Sequence, residues 1–244
     1  MAIKSIQYLQ HTLDISYEIL NPGGSIDIIF LHGWGSNKEI MKNAFAPYMD
    51  TFRHIYIDLP GFGKSTCNVT LTTKDYARIV ELLMIHMNAS KDIIVGHSFG
   101  GKVALILEPK VLVLLSSAGI YVPKSLKVRA KIALFKTLKI FGLSKLRSLF
   151  VADDAKSLNE PMYQTFKNVV NEDFSEDFAK FGSKALVCWG ESDTATPLSS
   201  GEKIASLIED SRLVVYEGDH YFFMKHAKDI SKQIEERFLK SLEH

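Results

Sequence analysis

Short apolar runs punctuated by glycine, proline and polar turns recur along the chain, and between the later runs apolar positions return every three or four residues. Bounded runs of this kind predict strands, and the wider spacing predicts amphipathic helices. Strands are expected near 3–8, 13–20, 26–32, 53–58, 92–97, 111–116, 185–190 and 212–217, with helices near 37–48, 73–88, 99–107, 199–208 and 222–241. Strands alternating with helices predict an α/β protein, with a mostly parallel eight-stranded sheet covered by helices on both faces. Binding and catalytic groups in such sheets collect beyond the carboxyl ends of the strands.

One stretch breaks the alternation. Between 121 and 182 no strand pattern stands out, while Leu126, Ala130, Leu134, Leu138 and Phe141 repeat at helical spacing. The expected organisation is a core of 1–120 and 183–241 interrupted by a helical insertion at 121–182. Charge in the insertion is uneven: Lys124, Lys127, Arg129, Lys131, Lys136, Lys139, Lys145 and Arg147 occur before 151 with no carboxylate among them, and seven acidic residues against three lysines follow over 151–182. A solvated amphipathic face accounts for such a run; an anionic carrier or an acidic membrane surface are the sharper readings.

Composition narrows the classes. A chain of 244 residues that is 46% hydrophobic and 23% charged has the make-up of a folded globular protein rather than a disordered one. A net charge of +1 argues against nucleic acid as a partner of the whole molecule. Zinc-finger, Rossmann and P-loop spacings are missing; in Gly63-Lys64-Ser65 the position required for the first P-loop glycine is Asp58. Two cysteines, Cys67 and Cys188, imply no disulfide framework. Neither a signal-peptide core nor a spanning apolar segment is found, and a cytoplasmic protein is expected.

The candidate chemistry centres on Gly96-His-Ser-Phe-Gly100, which directly follows an apolar run. A Gly-x-Ser-x-Gly at a strand-to-helix turn is a nucleophile elbow: the tight turn strains Ser98, lifts its hydroxyl clear of the sheet, and aims the Phe99 amide and the helix N-terminus at what the serine attacks. Two later runs end in polar turns. One holds Glu191 and Asp193, the other Asp219 and His220. His220 is the expected base, with His226 the fallback; the acid is Asp193, with Glu191 and Asp219 as competitors. Upstream, Ile26 to Leu31 runs into His32-Gly-Trp-Gly35, a loop of the kind that supplies the second oxyanion donor, here the Trp34 amide. His32 and His97 are expected to be structural, and Phe222, Phe223 and Met224 core or pocket wall.

With Asp58-Leu-Pro-Gly-Phe-Gly-Lys-Ser65, this set resembles the α/β-hydrolase family across essentially the whole chain. The resemblance implies a serine hydrolase with the triad Ser98, Asp193 and His220, Gly190, Asp193 and Pro197 matching the family's Gly-x-x-Asp-x-x-x-Pro. It also implies an oxyanion hole and substrate contacts at Trp34 and Phe99, and a helical cap at 121–182. Neither a metal nor an organic cofactor is required. The loops most resemble carboxylesterases acting on pimeloyl-carrier-protein methyl ester, which implies a small-molecule or carrier-bound acyl ester substrate and an acyl carrier protein at the basic cap. Carbon-carbon bond hydrolases of vinylogous diketones are the alternative, although their Ser-Gly-Pro-Gly loop is replaced here by Trp34-Gly-Ser-Asn37. A non-catalytic ligand receptor on the same scaffold is the third.

Overall fold

The computed structural model describes residues 1–121 and 160–239. Eight strands form one sheet: β1 (Ala2–Tyr8), β2 (His11–Leu20), β3 (Asp27–Leu31), β4 (Arg53–Ile57), β5 (Ile93–His97), β6 (Val111–Leu115), β7 (Lys184–Gly190) and β8 (Ser211–Tyr216). Their order is β1-β2-β4-β3-β5-β6-β7-β8, antiparallel at β1/β2 and β2/β4 and parallel elsewhere. The helices described are α1 (Lys38–Phe45), α2 (Thr73–His86), α3 (Phe99–Ile106), α4 (Glu160–Val169), α5 (Ser175–Lys180), α6 (Leu198–Leu207) and α7 (Phe223–Leu239). All eight expected strands and the five expected core helices are present, within about three residues at each end.

Why the central runs are uninterrupted apolar sequence follows from their burial: every residue of β3, β5 and β6 is buried. Successive side chains point to opposite faces, so one strand feeds two cores. Ile29, Leu31, Ile94, Leu112 and Leu114 pack with α2 and α3 on one side. Ile28, Phe30, Val95, Val111 and Val113 pack with α1 and α7 on the other. Local signals start the helices: Asn37 caps α1 by accepting from the Glu39 amide, and Thr72 and Asp75 form a reciprocal capping box at α2.

Chain growth across the sheet reverses between β3 and β5, because β4 lies on the far side of β3. The loops leaving β3 and β5 therefore diverge and leave a crevice at their carboxyl ends. Of the expected insertion, the Leu126 to Phe141 pattern and the cationic residues from Lys124 to Arg147 lie outside the described residues. Helix α4 is pinned to the core: Thr165 Oγ1 accepts from the Leu71 amide at 2.9 Å and Asn168 Nδ2 donates to the Leu71 carbonyl at 3.3 Å.

Candidate active site

Ser98 stands between β5 and α3 with φ 51° and ψ −117°. For a residue with a side chain this conformation costs about 1–3 kcal/mol and persists only where the surroundings impose it. Here the Ser98 amide donates to Leu115 O (3.1 Å), and its carbonyl accepts from the amides of Gly101 (3.0 Å) and Ala118 (3.0 Å). A Cβ on Gly96 would collide with the backbone of Gly100 and Gly101, so the strand can meet the helix only with glycine there. A Cβ on Gly33 would lie 3.0 Å from Ser98 Cβ and 3.0 Å from His97 Nδ1. The loop after β3 thus lies directly against the serine.

The turn after β7 buries Asp193 and surrounds it with donors. Its Oδ1 accepts from the amides of Ala195 (2.8 Å) and Thr196 (3.0 Å), and its Oδ2 from Thr196 Oγ1 (2.9 Å) and His220 Nδ1 (2.7 Å). Burial alone would raise the carboxyl pKa, but the hydrogen bonds from His220 and the Thr196 amide outweigh it and hold Asp193 well below the usual carboxylate range. An ionised carboxylate only accepts, so Nδ1 of His220 carries the proton and Nε2 is the basic nitrogen of the neutral ring. Among the described residues no hydrogen bond joins Ser98 Oγ to His220; such contacts commonly tighten only with substrate bound. His220 is nevertheless tied to the elbow, since its carbonyl accepts from His97 Nε2 at 3.0 Å and the two rings lie 4.6 Å apart.

The competing acids are exposed and the competing base bonds elsewhere. Glu191 and Asp219 are exposed, and Asp219 accepts from the Tyr221 amide. His226 bonds the Glu217 carbonyl at 2.9 Å. His32 is buried, accepts from the Leu59 amide at Nε2 (3.0 Å), and therefore donates from Nδ1 to Gly33 O (2.8 Å). Burial lowers its pKa to about 4 and that of His97 to about 3, so both rings stay neutral. The Asp58–Ser65 turn closes on its own carboxylate: Asp58 accepts from the Lys64 amide (3.0 Å) and from buried Lys38 at its amide (2.7 Å) and Nζ (2.6 Å). Phe222 and Phe223 are core, but Met224 is 42% exposed and corrects the expectation of a core or pocket role. Helix α7 begins at Phe223, and its next position turns outward.

A cavity of about 360 Å³ opens over Ser98, with Trp34, Phe99, Ile120, Phe166, Val169 and Val170 among its apolar walls. Trp34 packs on Phe62, Phe99 and Phe166 with ring centroids 4.8, 5.5 and 5.4 Å apart. Thr196, Lys102 and Glu172 also line the cavity and were missed by sequence reasoning. Lys102 carried a signal: it is the one charged residue in the otherwise apolar Phe99–Ile106, one turn beyond the serine. Glu172 carried none, because its relation to α3 is set by a contact 70 residues apart.

This sheet, with a strained serine after β5 and the loops of β7 and β8 meeting at the same edge, defines an α/β-hydrolase fold. The chain belongs to the alpha/beta hydrolase family, whose model matches residues 28–233. A pimeloyl-[acyl-carrier protein] methyl ester esterase of Wigglesworthia glossinidia brevipalpis is 33% identical over 81 residues, 33% of this chain and 30% of that protein. A 2-hydroxy-6-oxononadienedioate/2-hydroxy-6-oxononatrienedioate hydrolase of Pseudomonas putida is 25% identical across 95% of this chain and 94% of its own length. A thermophilic esterase from Thermogutta terrifontis superposes with a TM-score of 0.73, covering 98% of both chains at 19% identity, a likeness of fold alone. No described helix is long and apolar enough to cross a membrane.

Proposed function

We propose that this chain is a serine hydrolase that cleaves a carboxylic ester through an acyl-enzyme. In this reading His220 Nε2 takes the proton of Ser98 as Oγ attacks the ester carbonyl, and Asp193 holds the ring in the required tautomer and stabilises the imidazolium. The amides of Trp34 and Phe99 receive the oxyanion. His220 then protonates the leaving alcohol, and a water activated by the same nitrogen releases the acid. The observation that carries the reading is the 2.7 Å His220–Asp193 bond, delivered by β7 and β8 to the edge where Ser98 is held at positive φ. The residues 121–182 act as a cap, and the cationic run from Lys124 to Arg147 receives an anionic carrier of the acyl group. The carrier-protein substrate named for the Wigglesworthia relative supports that choice.

Ser98→Ala abolishes ester turnover, by about 10³-fold or more, and leaves the melting temperature near wild type, because one partly exposed hydroxyl contributes little to packing. Fluorophosphonate probes label the wild type only. Retained turnover, or a label on another residue, overturns the assignment. Carbon-carbon bond cleavage is the second reading, favoured by the near full-length match to the Pseudomonas putida hydrolase. A screen of p-nitrophenyl esters against vinylogous diketones separates the two.

A further inference from the structure

The cavity is not uniformly apolar away from the serine. Lys102 lies on α3 four residues beyond Ser98, and both residues line the same cavity. The Lys102 side chain is only 3% exposed. The ammonium carries three N–H groups. One donates to Val169 O at 2.5 Å and a second to Glu172 Oε2 at 2.8 Å. For the third, among the described residues, there are the ring faces of Phe99 and Phe174, 5.3 and 5.4 Å away. Glu172 is similarly half used: Oε2 takes both Lys102 and Thr73 Oγ1, and Oε1 receives no hydrogen bond among the described residues.

The pair therefore presents to the cavity an unspent N–H beside an unspent carboxylate oxygen, with its charges already balanced. Phe99, Phe166 and Val169, which are apolar, line the same cavity as Ser98 and the pair. Lys102 is buried whereas Glu172 is 28% exposed, so the costly open group is the donor, and a ligand that accepts from it recovers that cost while Glu172 offers an acceptor beside it. A group bearing a full negative charge would have to compete with Glu172 for the ammonium, and a cation would face the ammonium itself.

We propose that Lys102 and Glu172 form a subsite for an uncharged group that both accepts and donates hydrogen bonds, such as an amide or hydroxyl, at the far end of the substrate's acyl chain. The substrate class is then an ester whose acyl part is apolar in the middle and polar but neutral at its tip. One helical turn along α3, about 6 Å, separates the level of the serine from that of the pair. An acyl chain of about four to six carbons spans the interval.

The proposal rests on the ester-hydrolase reading, and its test separates the two. Wild-type kcat/KM is measured on p-nitrophenyl esters of matched acids of about six carbons ending in a primary amide, an isosteric isopropyl group, or a carboxylate. The amide is preferred about tenfold or more over the isopropyl analogue, and the carboxylate is the poorest. In Lys102→Met/Glu172→Leu, which removes the donor and the acceptor and leaves no buried charge unpaired, the amide-to-isopropyl ratio falls toward one. Lys102→Leu with Glu172→Met is a second test should the first fold poorly. Calorimetric binding of the corresponding methyl ketones, which have no leaving group, reads the same preference without turnover. Ketone preference without hydrolysis upholds the subsite and sinks the ester reading. Hydrolysis with a ratio near one in the wild type, or a ratio unchanged in the double variants, overturns the subsite.

Discussion

At the residue scale, the contacts of Asp193 distinguish it from its neighbours more sharply than its position does. Asp193→Asn offers an amide where His220 needs an acceptor and stabilises the wrong tautomer, so kcat falls by about 10³- to 10⁴-fold. Glu191→Gln, at an exposed carboxylate, leaves kcat within about twofold. A steady-state comparison of the two variants decides it, and the reverse pattern would move the acid to Glu191. The buried histidines make a second residue-scale prediction. An unfolded histidine gains its proton below about pH 6.5, whereas folded His32 and His97 do so only near 4 and 3. Between those limits the unfolded chain binds more protons, so stability falls as pH drops, by up to about 1.4 kcal/mol per pH unit for each ring. His97→Gln makes the decline shallower by one ring's share, measured by urea unfolding at pH 7, 6 and 5. An identical slope in wild type and variant would show that His97 protonates freely in the fold.

Elements are held at the site by a few buried polar links. Lys38 and Asp58, 2% and 1% exposed, tie the first turn of α1 to the loop after β4. Burial would raise the Asp58 pKa, but its bonds to the Lys38 amide and ammonium and the Lys64 amide hold it lowered. Removing one partner leaves the other charge buried and alone, so Lys38→Met destabilises by about 3–5 kcal/mol. Adding Asp58→Asn recovers most of that loss. Chemical denaturation of the single and double variants checks it, and additive losses would show that the pair is not coupled. Of these links the sequence shows the turn and its residues, since Gly61 and Gly63 punctuate the loop. That Lys38 reaches back 20 residues to Asp58 is not visible in periodicity.

On the scale of the whole molecule, a net charge of +1 conceals the cationic run between Lys124 and Arg147. A local field of this kind acts on encounter rate and is screened over about 8 Å at physiological salt. Replacing Lys124, Lys127 and Lys131 with Gln lowers kcat/KM for an acyl-carrier-protein ester several-fold, and added salt shrinks the difference. Turnover of a short p-nitrophenyl ester stays nearly constant. Equal losses on both substrates would point to misfolding, and no loss on either would reduce the run to a solvated face.

What the sequence determined by itself was what short-range physics encodes. Bounded apolar runs specify strands buried on both faces, three-to-four spacing specifies the helices that cover them, and the Gly96–Gly100 elbow announces a serine forced to positive φ by the lack of room for side chains. His220 was legible because a polar turn ends its strand; Asp193 needed the resemblance to the family's pattern, because Glu191 and Asp219 carry the same local signal. Only the tertiary structure decided that Asp193, rather than Glu191 or Asp219, bonds His220, that His97 spans to the His220 carbonyl, that Met224 faces outward, and that Lys102 meets Glu172 in the cavity. Each of these depends on where distant loops come together above the sheet, and that is set by the packing of whole elements, to which no local periodicity responds.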